Sequence, residues 1–169
     1  MTNYRTWLVA LLVFAGLACA GEPGLVADAR EVERVGRSYT VDTLSTLRQE
    51  HPEASLLLLL GDDAANHFHT WHRWQEIPGL AHLVFAERPC EPAAPVPELQ
   101  AMMRTRRAAD VDALHARPAG LFMSIHLPPL AISSTRVRGL LAARRSVRGL
   151  VPQAVIENFT PEDLGNLTH

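Results

Sequence analysis

One segment near the end of the chain, residues 132–138 with the sequence Ile-Ser-Ser-Thr-Arg-Val-Arg, carries hydroxyl and guanidinium groups at a spacing that could bind phosphate. Pro128 and Pro129 precede it and helix-forming residues follow it, so we expect a helix to begin at the hydroxyls. The free N–H groups and the dipole of a helix start favour an anion, and Ser134 and Arg138 would share a face above that end. An ordinary capped amphipathic helix with a solvated arginine fits the same residues, and both interpretations stay open at this point.

A second candidate group follows the apolar run 56–60 and has the sequence Gly61-Asp62-Asp63. The length of the run and the glycine after it predict a central parallel strand that is buried on both faces. Ligands of open α/β sheets bind beyond the carboxyl ends of such strands. Gly61 would allow a ligand to approach the backbone closely, and Asp63 would offer a carboxylate to a ribose or a ring nitrogen donor. A turn with a solvated aspartate is the alternative.

The segment 67–74 has an unusual composition, with three histidines and two tryptophans. The histidine spacing does not favour a metal site, because the first two would not share a helical face and no further ligand lies near at the right spacing. A helix capped by Thr70, with Trp71 and Trp74 packing inward, accounts for the segment better. A tryptophan at the rim of a sheet could also stack on a flat ring.

The elements that would position these residues alternate along the chain. Apolar runs predict strands over residues 56–60, 80–86 and 121–125, and a short one over 25–28. Helical spacing and start signals predict four helices. One begins at Thr40, which would be its cap, and the others begin at Leu99, at the hydroxyls of residues 133–135 and at Pro152. This alternation predicts a parallel α/β sheet with helices on both faces.

Composition narrows the function classes. The chain has 169 residues and a net charge of −2, which fits one domain and does not suggest bulk nucleic-acid or polybasic membrane binding. Two isolated cysteines, Cys19 and Cys90, support neither a metal cluster nor a disulfide framework. They are most simply reduced thiols of a cytoplasmic protein.

The apolar run 7–20 is open to two interpretations. It is shorter than the about 20 residues that a membrane-spanning helix needs. Arg5 before it and Ala18-Cys19-Ala20 at its end give it the form of a signal peptide over residues 1–20. A buried helix that ends at Gly21 explains the same residues.

Six motifs in order resemble the bacterial nicotinate-nucleotide adenylyltransferases. They cover roughly residues 16–157 and are the segments 38–44 (Ser-Tyr-Thr-Val-Asp-Thr-Leu), 61–63, 70–74 (Thr-Trp-His-Arg-Trp), 81–84, 88–89 (Arg-Pro) and 132–138. Residues 17–20 also resemble the end of a helix in that family, which argues against a cleaved signal.

This resemblance implies a Rossmann-like parallel sheet in one nucleotidyltransferase domain over residues 1–169, with an atypical apolar segment over 1–16. It implies adenylyl transfer from ATP to nicotinate mononucleotide, with Mg²⁺ bridging phosphate oxygens, to give deamido-NAD and pyrophosphate. Thr40, Trp71 and His72 would line the pocket for the pyridine carboxylate, and the backbone around Trp71 and His72 would donate to that carboxylate. By matching motif, the substrate-binding residues would be Thr40, Gly61, Asp63, Trp71, His72 and Arg88, and the ATP phosphates would meet Ser133, Ser134, Thr135 and Arg138.

One departure from the family concerns catalysis. The sequence contains no Gly-Thr-Phe-Asp-Pro and no His-x-Gly-His, the motifs with which the family opens. The N-terminal strand-helix-strand would therefore be missing, and no catalytic residue is assigned. In that family the histidines of the second motif donate to the ATP phosphates in the transition state. Loss of one such donor typically lowers the rate on the order of 100- to 1,000-fold, so we expect weak or no turnover. A non-catalytic mononucleotide-binding remnant and an exported binding domain stay open as alternatives.

Overall fold

The computed structural model describes residues 18–19, 23–87, 96–126 and 133–158, apart from the side chains of Asp62, Asp63 and Ser134. The chain divides into two compact units. One is Val35–Pro129, and the other combines Met1–Arg34 with Leu130–His169.

Helices and strands alternate through the first unit. Its helices are α2 (Thr40–Glu50), α3 (Asp62–His67), α4 (Ile77–Leu80), α5 (Pro97–Thr105) and α6 (Val111–His115), and its strands are β1 (Leu57–Gly61), β2 (His82–Glu87) and β3 (Phe122–His126). Two 3₁₀ turns, Phe68–Thr70 and Trp74–Glu76, lie between α3 and α4. The other unit contains α1 (Arg30–Glu33), α7 (Ser134–Ala142) and α8 (Gln153–Glu157). No described helix is both long enough and apolar enough to cross a membrane.

The three strands form one parallel sheet in the order β1-β2-β3. Leu59 is opposite Val84 in the first pairing, and Val84 is opposite Met123 in the second. Each strand lies within two residues of its predicted range, and the prediction of a parallel α/β sheet is confirmed.

Apolar side chains pack on both faces of this sheet. On one face Leu60, Leu83 and Phe85 pack with Phe68 and with Val41 of α2. On the other face Val84 packs with Ala108 and with Leu114 of α6. Because successive side chains of a strand point to opposite faces, β2 contributes to both clusters, and helices lie on both faces as predicted.

Strand β1 departs from the prediction that it is buried on both faces. Leu60 is buried, but Leu57 and Leu59 are 47% and 61% exposed. The reason is the extent of the second cluster, whose described members lie against β2 and β3 and leave this face of β1 uncovered.

Three local predictions were also wrong. Thr40 does not cap α2 but is its first residue, after Tyr39, which makes no side-chain cap. Thr70 does not open a helix, since it ends the 3₁₀ turn Phe68–Thr70 and donates its hydroxyl to the His67 carbonyl at 2.7 Å. Residues 25–28 form no strand.

Two side chains tie together the amino-terminal edge of the sheet. The Arg48 guanidinium donates to five backbone carbonyls, those of His51, Pro52, Ala54, Leu80 and Pro118. His82 is fully buried, and its Nδ1 accepts from the Leu121 N–H while its Nε2 lies 2.9 Å from the Arg117 carbonyl oxygen. These bonds fix the loops before β1, β2 and β3.

Candidate functional site

A tight turn over residues 71–74 carries three of the residues that the sequence singles out. The Trp71 N–H donates to the Phe68 carbonyl at 3.1 Å, and the Trp74 N–H donates to the Trp71 carbonyl at 3.3 Å. Arg73, the third residue of the turn, has φ 51° and ψ 39°. This is the left-handed region, which glycine and asparagine usually occupy in turns.

Aromatic packing anchors the turn to the core. Trp74 is 7% exposed, and its ring meets Phe68 edge-on with centroids 5.8 Å apart. Trp71 is half-buried, with its ring centroid 5.4 Å from that of Phe68. His72 and Arg73 between them are exposed. The turn therefore presents a polar outer side on a rigid aromatic base.

Two contacts join the turn to the start of α2. The rings of Tyr39 and His72 lie 4.3 Å apart, and Nη1 of Arg73 lies 3.8 Å from Oδ1 of Asp42. Thr40 stands between Tyr39 and Asp42 in this first turn of the helix. The structure thus brings together two segments, at Thr40 and at Trp71-His72, that were predicted to share a pocket.

An ion pair closes the outer side of the turn. Arg73 donates from Nε and Nη2 to the two carboxylate oxygens of Glu76, at 2.8 and 2.6 Å. This hydrogen bonding holds the pKa of Glu76 below its ordinary value of 4.5 and raises the pKa of Arg73. Both side chains are half-exposed, at 48% and 53%.

Two successive amide groups on the turn are available to a ligand. The Trp71 N–H is engaged with Phe68, but the N–H groups of His72 and Arg73 make no hydrogen bond within the part of the chain that the structure describes. Consecutive backbone N–H groups at a turn can form a concavity for an anion. The expected backbone donor to a carboxylate is therefore the His72 N–H and not the Trp71 N–H, which is already hydrogen-bonded to Phe68.

Gly61 ends β1 at the carboxyl edge of the sheet. Its φ of −78° and ψ of 170° suit any residue, and a methyl group in place of its hydrogen would meet no atom within 4 Å. Neither backbone conformation nor packing therefore requires a glycine here. The Asp63 side chain and all of Arg88, both predicted at this edge, lie outside the described residues.

A cleft that the sequence did not reveal lies along β3. It has a volume of about 350 Å³ and is lined by Glu87, Met103, Arg104, Arg107, Phe122 and His126, among others. Glu87 and His126 end β2 and β3 and lie 3.3 Å apart. The sequence signal for this cleft was the basic end of α5, which carries Arg104. Nothing in the sequence placed that end beside β3.

The predicted phosphate segment lies in the other compact unit. Ser133 caps α7, and its Oγ accepts from the Arg136 N–H at 3.1 Å, so the predicted helix start is confirmed. Ser133, Thr135 and Arg138 are exposed. Their binding of phosphate, together with any part played by the Ser134 side chain, stays a prediction.

Comparison with known proteins gives three similarities. Residues 17–140 match the cytidylyltransferase-like family. The chain is 44% identical over 154 residues to the probable nicotinate-nucleotide adenylyltransferase of Acidithiobacillus ferrooxidans. The aligned residues cover 90% of this chain and 71% of that protein. The chain is also 44% identical to the protein of the same name from Marinobacter nauticus, covering 84% of this chain and 66% of that one.

A solved structure, Plasmodium falciparum nicotinic acid mononucleotide adenylyltransferase complexed with APC, has a TM-score of 0.45 and 18% identity. The aligned part covers 73% of this chain and 56% of the Plasmodium chain.

Proposed function

We propose that this chain, which belongs to the nicotinate-nucleotide adenylyltransferases within the cytidylyltransferase-like family, transfers the adenylyl group of ATP to nicotinate mononucleotide. The products would be deamido-NAD and pyrophosphate. Because the chain spans 71% and 66% of the two relatives described, the activity of these 169 residues by themselves is part of the proposal.

One observation carries this proposal: the exposed turn over 71–74 is held against the first turn of α2. The contact of Tyr39 with His72 at 4.3 Å brings the Thr40 segment beside the Trp71-His72 segment. A mononucleotide with an anionic pyridine substituent needs an aromatic wall, hydrogen-bond donors and no opposing carboxylate. Trp71 offers the wall and the N–H groups of His72 and Arg73 offer the donors, while the nearby carboxylates of Asp42 and Glu76 lie against Arg73.

The remaining substrate contacts follow from the matched motifs. Gly61 would allow the nucleotide to approach the end of β1 closely. Asp63 and Arg88 would complete the mononucleotide site. Ser133, Ser134, Thr135 and Arg138 would hold the ATP phosphates at the start of α7, whose free N–H groups and dipole favour anions.

The proposed reaction requires the protein mainly to position its two substrates. An oxygen of the nicotinate mononucleotide phosphate attacks the α-phosphorus of ATP, the bond from that phosphorus to the β-bridging oxygen breaks, and pyrophosphate leaves. No covalent enzyme intermediate is needed. Holding the two reactants in line can be worth an effective molarity of about 10⁵ M or more. The α7 hydroxyls and Arg138 would offset the charge that develops on the leaving group.

Mg²⁺ would enter the site with ATP and supply further charge neutralisation. Within the described residues, no group of three or more His, Cys, Asp or Glu side chains could hold a metal ion. The phosphate oxygens of ATP would bind the ion. We place the protein in the cytoplasm, where ATP is available.

A second candidate function is supported by one specific observation. The sequence contains no His-x-Gly-His, the motif whose histidines would donate to the ATP phosphates in the transition state. A chain that retains the pyridine pocket without these donors would bind nicotinate mononucleotide and release no pyrophosphate.

Calorimetry with nicotinate mononucleotide and an assay for pyrophosphate release with ATP separate these functions. Binding with turnover supports the transferase, binding without turnover supports the remnant, and no binding rejects both. Because losing each phosphate donor costs roughly 100- to 1,000-fold, we expect binding with weak or no turnover.

A pair of variants at one position tests the proposed carboxylate donor. His72→Pro removes the N–H. We expect the turn to tolerate it, because proline suits the second position of a turn and Trp71, at φ −72° and ψ 148°, suits a residue before proline. His72→Ala keeps the N–H and loses only the ring. We expect His72→Pro to weaken nicotinate mononucleotide binding about tenfold, which is the order of one hydrogen bond to a charged group, relative to His72→Ala. Equal binding by both would show that the His72 N–H does not donate to the ligand.

A further inference from the structure

We propose that Arg73 is a positioning residue. Its side chain is held between Glu76 and Asp42, and this clamp fixes the orientation of the backbone N–H groups of His72 and Arg73 in the 71–74 turn. The inference rests on the proposed function, since the ligand of these amides is the pyridine carboxylate of the substrate. It adds to that function a residue that touches no reacting atom and acts only through the backbone.

Arg73 has a backbone conformation that is unusual for a residue other than glycine. Within the described residues only Arg73 and Arg144 have positive φ without being glycine. Arg144 follows α7 and its C-cap Ala143, where a left-handed residue commonly ends a helix. Arg73 ends no helix, so helix termination does not explain its conformation. An L-residue resists this region because Cβ crowds the following carbonyl oxygen.

The side chain explains why the conformation persists. All three guanidinium nitrogens of Arg73 are engaged: Nε and Nη2 with Glu76, at 2.8 and 2.6 Å, and Nη1 with Asp42, at 3.8 Å. Glu76 belongs to the 3₁₀ turn that follows and Asp42 to α2, so the clamp ties the turn to elements on both sides. The planar guanidinium suits this task because its donors form a fixed fork, which a lysine ammonium lacks.

The clamp matters for the amides because the peptide between the second and third residues of a turn has two orientations. The two common turn types differ in the sign of φ at the third residue, here Arg73, and hence in the direction of its N–H. With φ at 51°, the Arg73 N–H has the orientation set by the left-handed form. Release of the clamp would let the peptide flip and would turn this N–H away from its present direction.

The test compares Arg73→Gly with Arg73→Ala by calorimetry with nicotinate mononucleotide. Both remove the clamp, but glycine adopts positive φ at no steric cost whereas alanine does not. We therefore expect Arg73→Ala to weaken binding about tenfold and Arg73→Gly to stay within about threefold of the unsubstituted chain. Glu76→Gln should weaken binding by itself and have no further effect when it is combined with Arg73→Gly.

Controls separate this role from a structural one. Gln75→Ala changes an exposed neighbour in the same 3₁₀ turn and should alter nothing, and thermal unfolding reports whether each variant folds. Binding of a non-hydrolysable ATP analogue should not change in the Arg73 variants.

Three outcomes would overturn the inference. If Arg73→Gly and Arg73→Ala are equally weak, Arg73 contacts the ligand directly. If both bind like the unsubstituted chain, the turn needs no clamp and the proposed function stands. If the unsubstituted chain does not bind nicotinate mononucleotide, the proposed function and this inference fall together.

Discussion

At Gly61 the requirements of folding and of ligand binding can be tested separately. Its backbone angles suit any residue and its surroundings leave room for a methyl group, so a requirement for glycine at this position would come from the ligand. We predict that Gly61→Ala leaves the free energy of unfolding unchanged or raises it by about 0.4–1 kcal/mol, and weakens nucleotide binding about tenfold, since about 1.4 kcal/mol of lost contact corresponds to that factor.

The matched control for this variant is Gly79→Ala. Gly79 also has open space around it, but it lies in α4, away from the strand end. Denaturant unfolding and calorimetry would be run on both variants. Unchanged nucleotide binding by Gly61→Ala would show that no ligand approaches the end of β1.

The Glu76 carboxyl gives the turn a defined pH dependence. Its pKa in the folded chain is lowered from 4.5 by the hydrogen bonds from Arg73, so the ion pair stabilises the turn above pH 4.5 and this contribution is lost as the pH falls through the lowered pKa. We predict from NMR titration that Glu76 has its midpoint below 4.5 and that Arg73→Ala returns the midpoint towards that value. Identical midpoints in the two chains would contradict the pairing.

The sequence predicted some features of individual residues and gave no signal for others. A serine that follows two prolines and precedes helix formers is a strong cap signal, and Ser133 is the N-cap. Nothing in Trp-His-Arg-Trp announces a left-handed residue, because the usual markers, glycine and asparagine, are lacking. One partner of Arg73 in the proposed clamp is Asp42, which lies 31 positions earlier in the chain, and a local pattern cannot supply such a partner.

At the scale of the element, α7 offers a test that separates capping from phosphate binding. Aspartate caps a helix as well as serine does and suits the positive end of the dipole, but its charge repels phosphate. We predict that Ser133→Asp keeps the stability of the chain and loses binding of a non-hydrolysable ATP analogue by at least about tenfold. Ser133→Ala should instead lower stability by about 1 kcal/mol. An aspartate variant that binds the analogue normally would leave α7 an ordinary capped helix.

Arg48 carries a prediction about how the elements are held together. It donates to five carbonyls at the ends of α2 and α4 and in the loops before β1 and β3. A lysine has fewer donors and no fork, so Arg48→Lys should lower the free energy of unfolding by roughly 1–3 kcal/mol in urea unfolding.

The control for this variant is Arg104→Lys, since Arg104 makes no side-chain hydrogen bond within the described part of the chain. Its change should stay within about 0.5 kcal/mol. Equal effects of the two substitutions would show that the bonds of Arg48 contribute nothing net.

The strands were predictable, and the helices less so. Apolar runs of strand length lie at β1, β2 and β3, because burial of a parallel sheet demands continuous apolar residues. The longer helices α2 and α5 and the helices α7 and α8 were predicted, but α1, α3, α4 and α6, of four to six residues each, were not. Helix α6 was missed although Asp110 caps it, accepting from the Ala113 N–H at 2.8 Å, since five residues are too few for a helical period to show. The exposure of Leu57 and Leu59 could not be predicted, because it depends on how far the cover from α6 extends.

For the whole molecule, family membership rests on similarity along the chain, and the fold follows from the strand and helix pattern. The roles of the site residues are a different kind of claim. Trp71 and Ser133 belong to different compact units, and their binding of substrates stays a prediction drawn from the matched motifs. Local periodicity cannot establish such a role, since it reports which residues are buried and not which ligand they bind.

An amide NMR titration with nicotinate mononucleotide, followed by a non-hydrolysable ATP analogue, would show whether the proposed residues bind these substrates. We expect the His72 and Arg73 amide resonances to shift saturably with the mononucleotide, and amides at the start of α7 to shift when the analogue is added. Saturable binding that leaves the His72 and Arg73 amides unmoved would contradict this expectation.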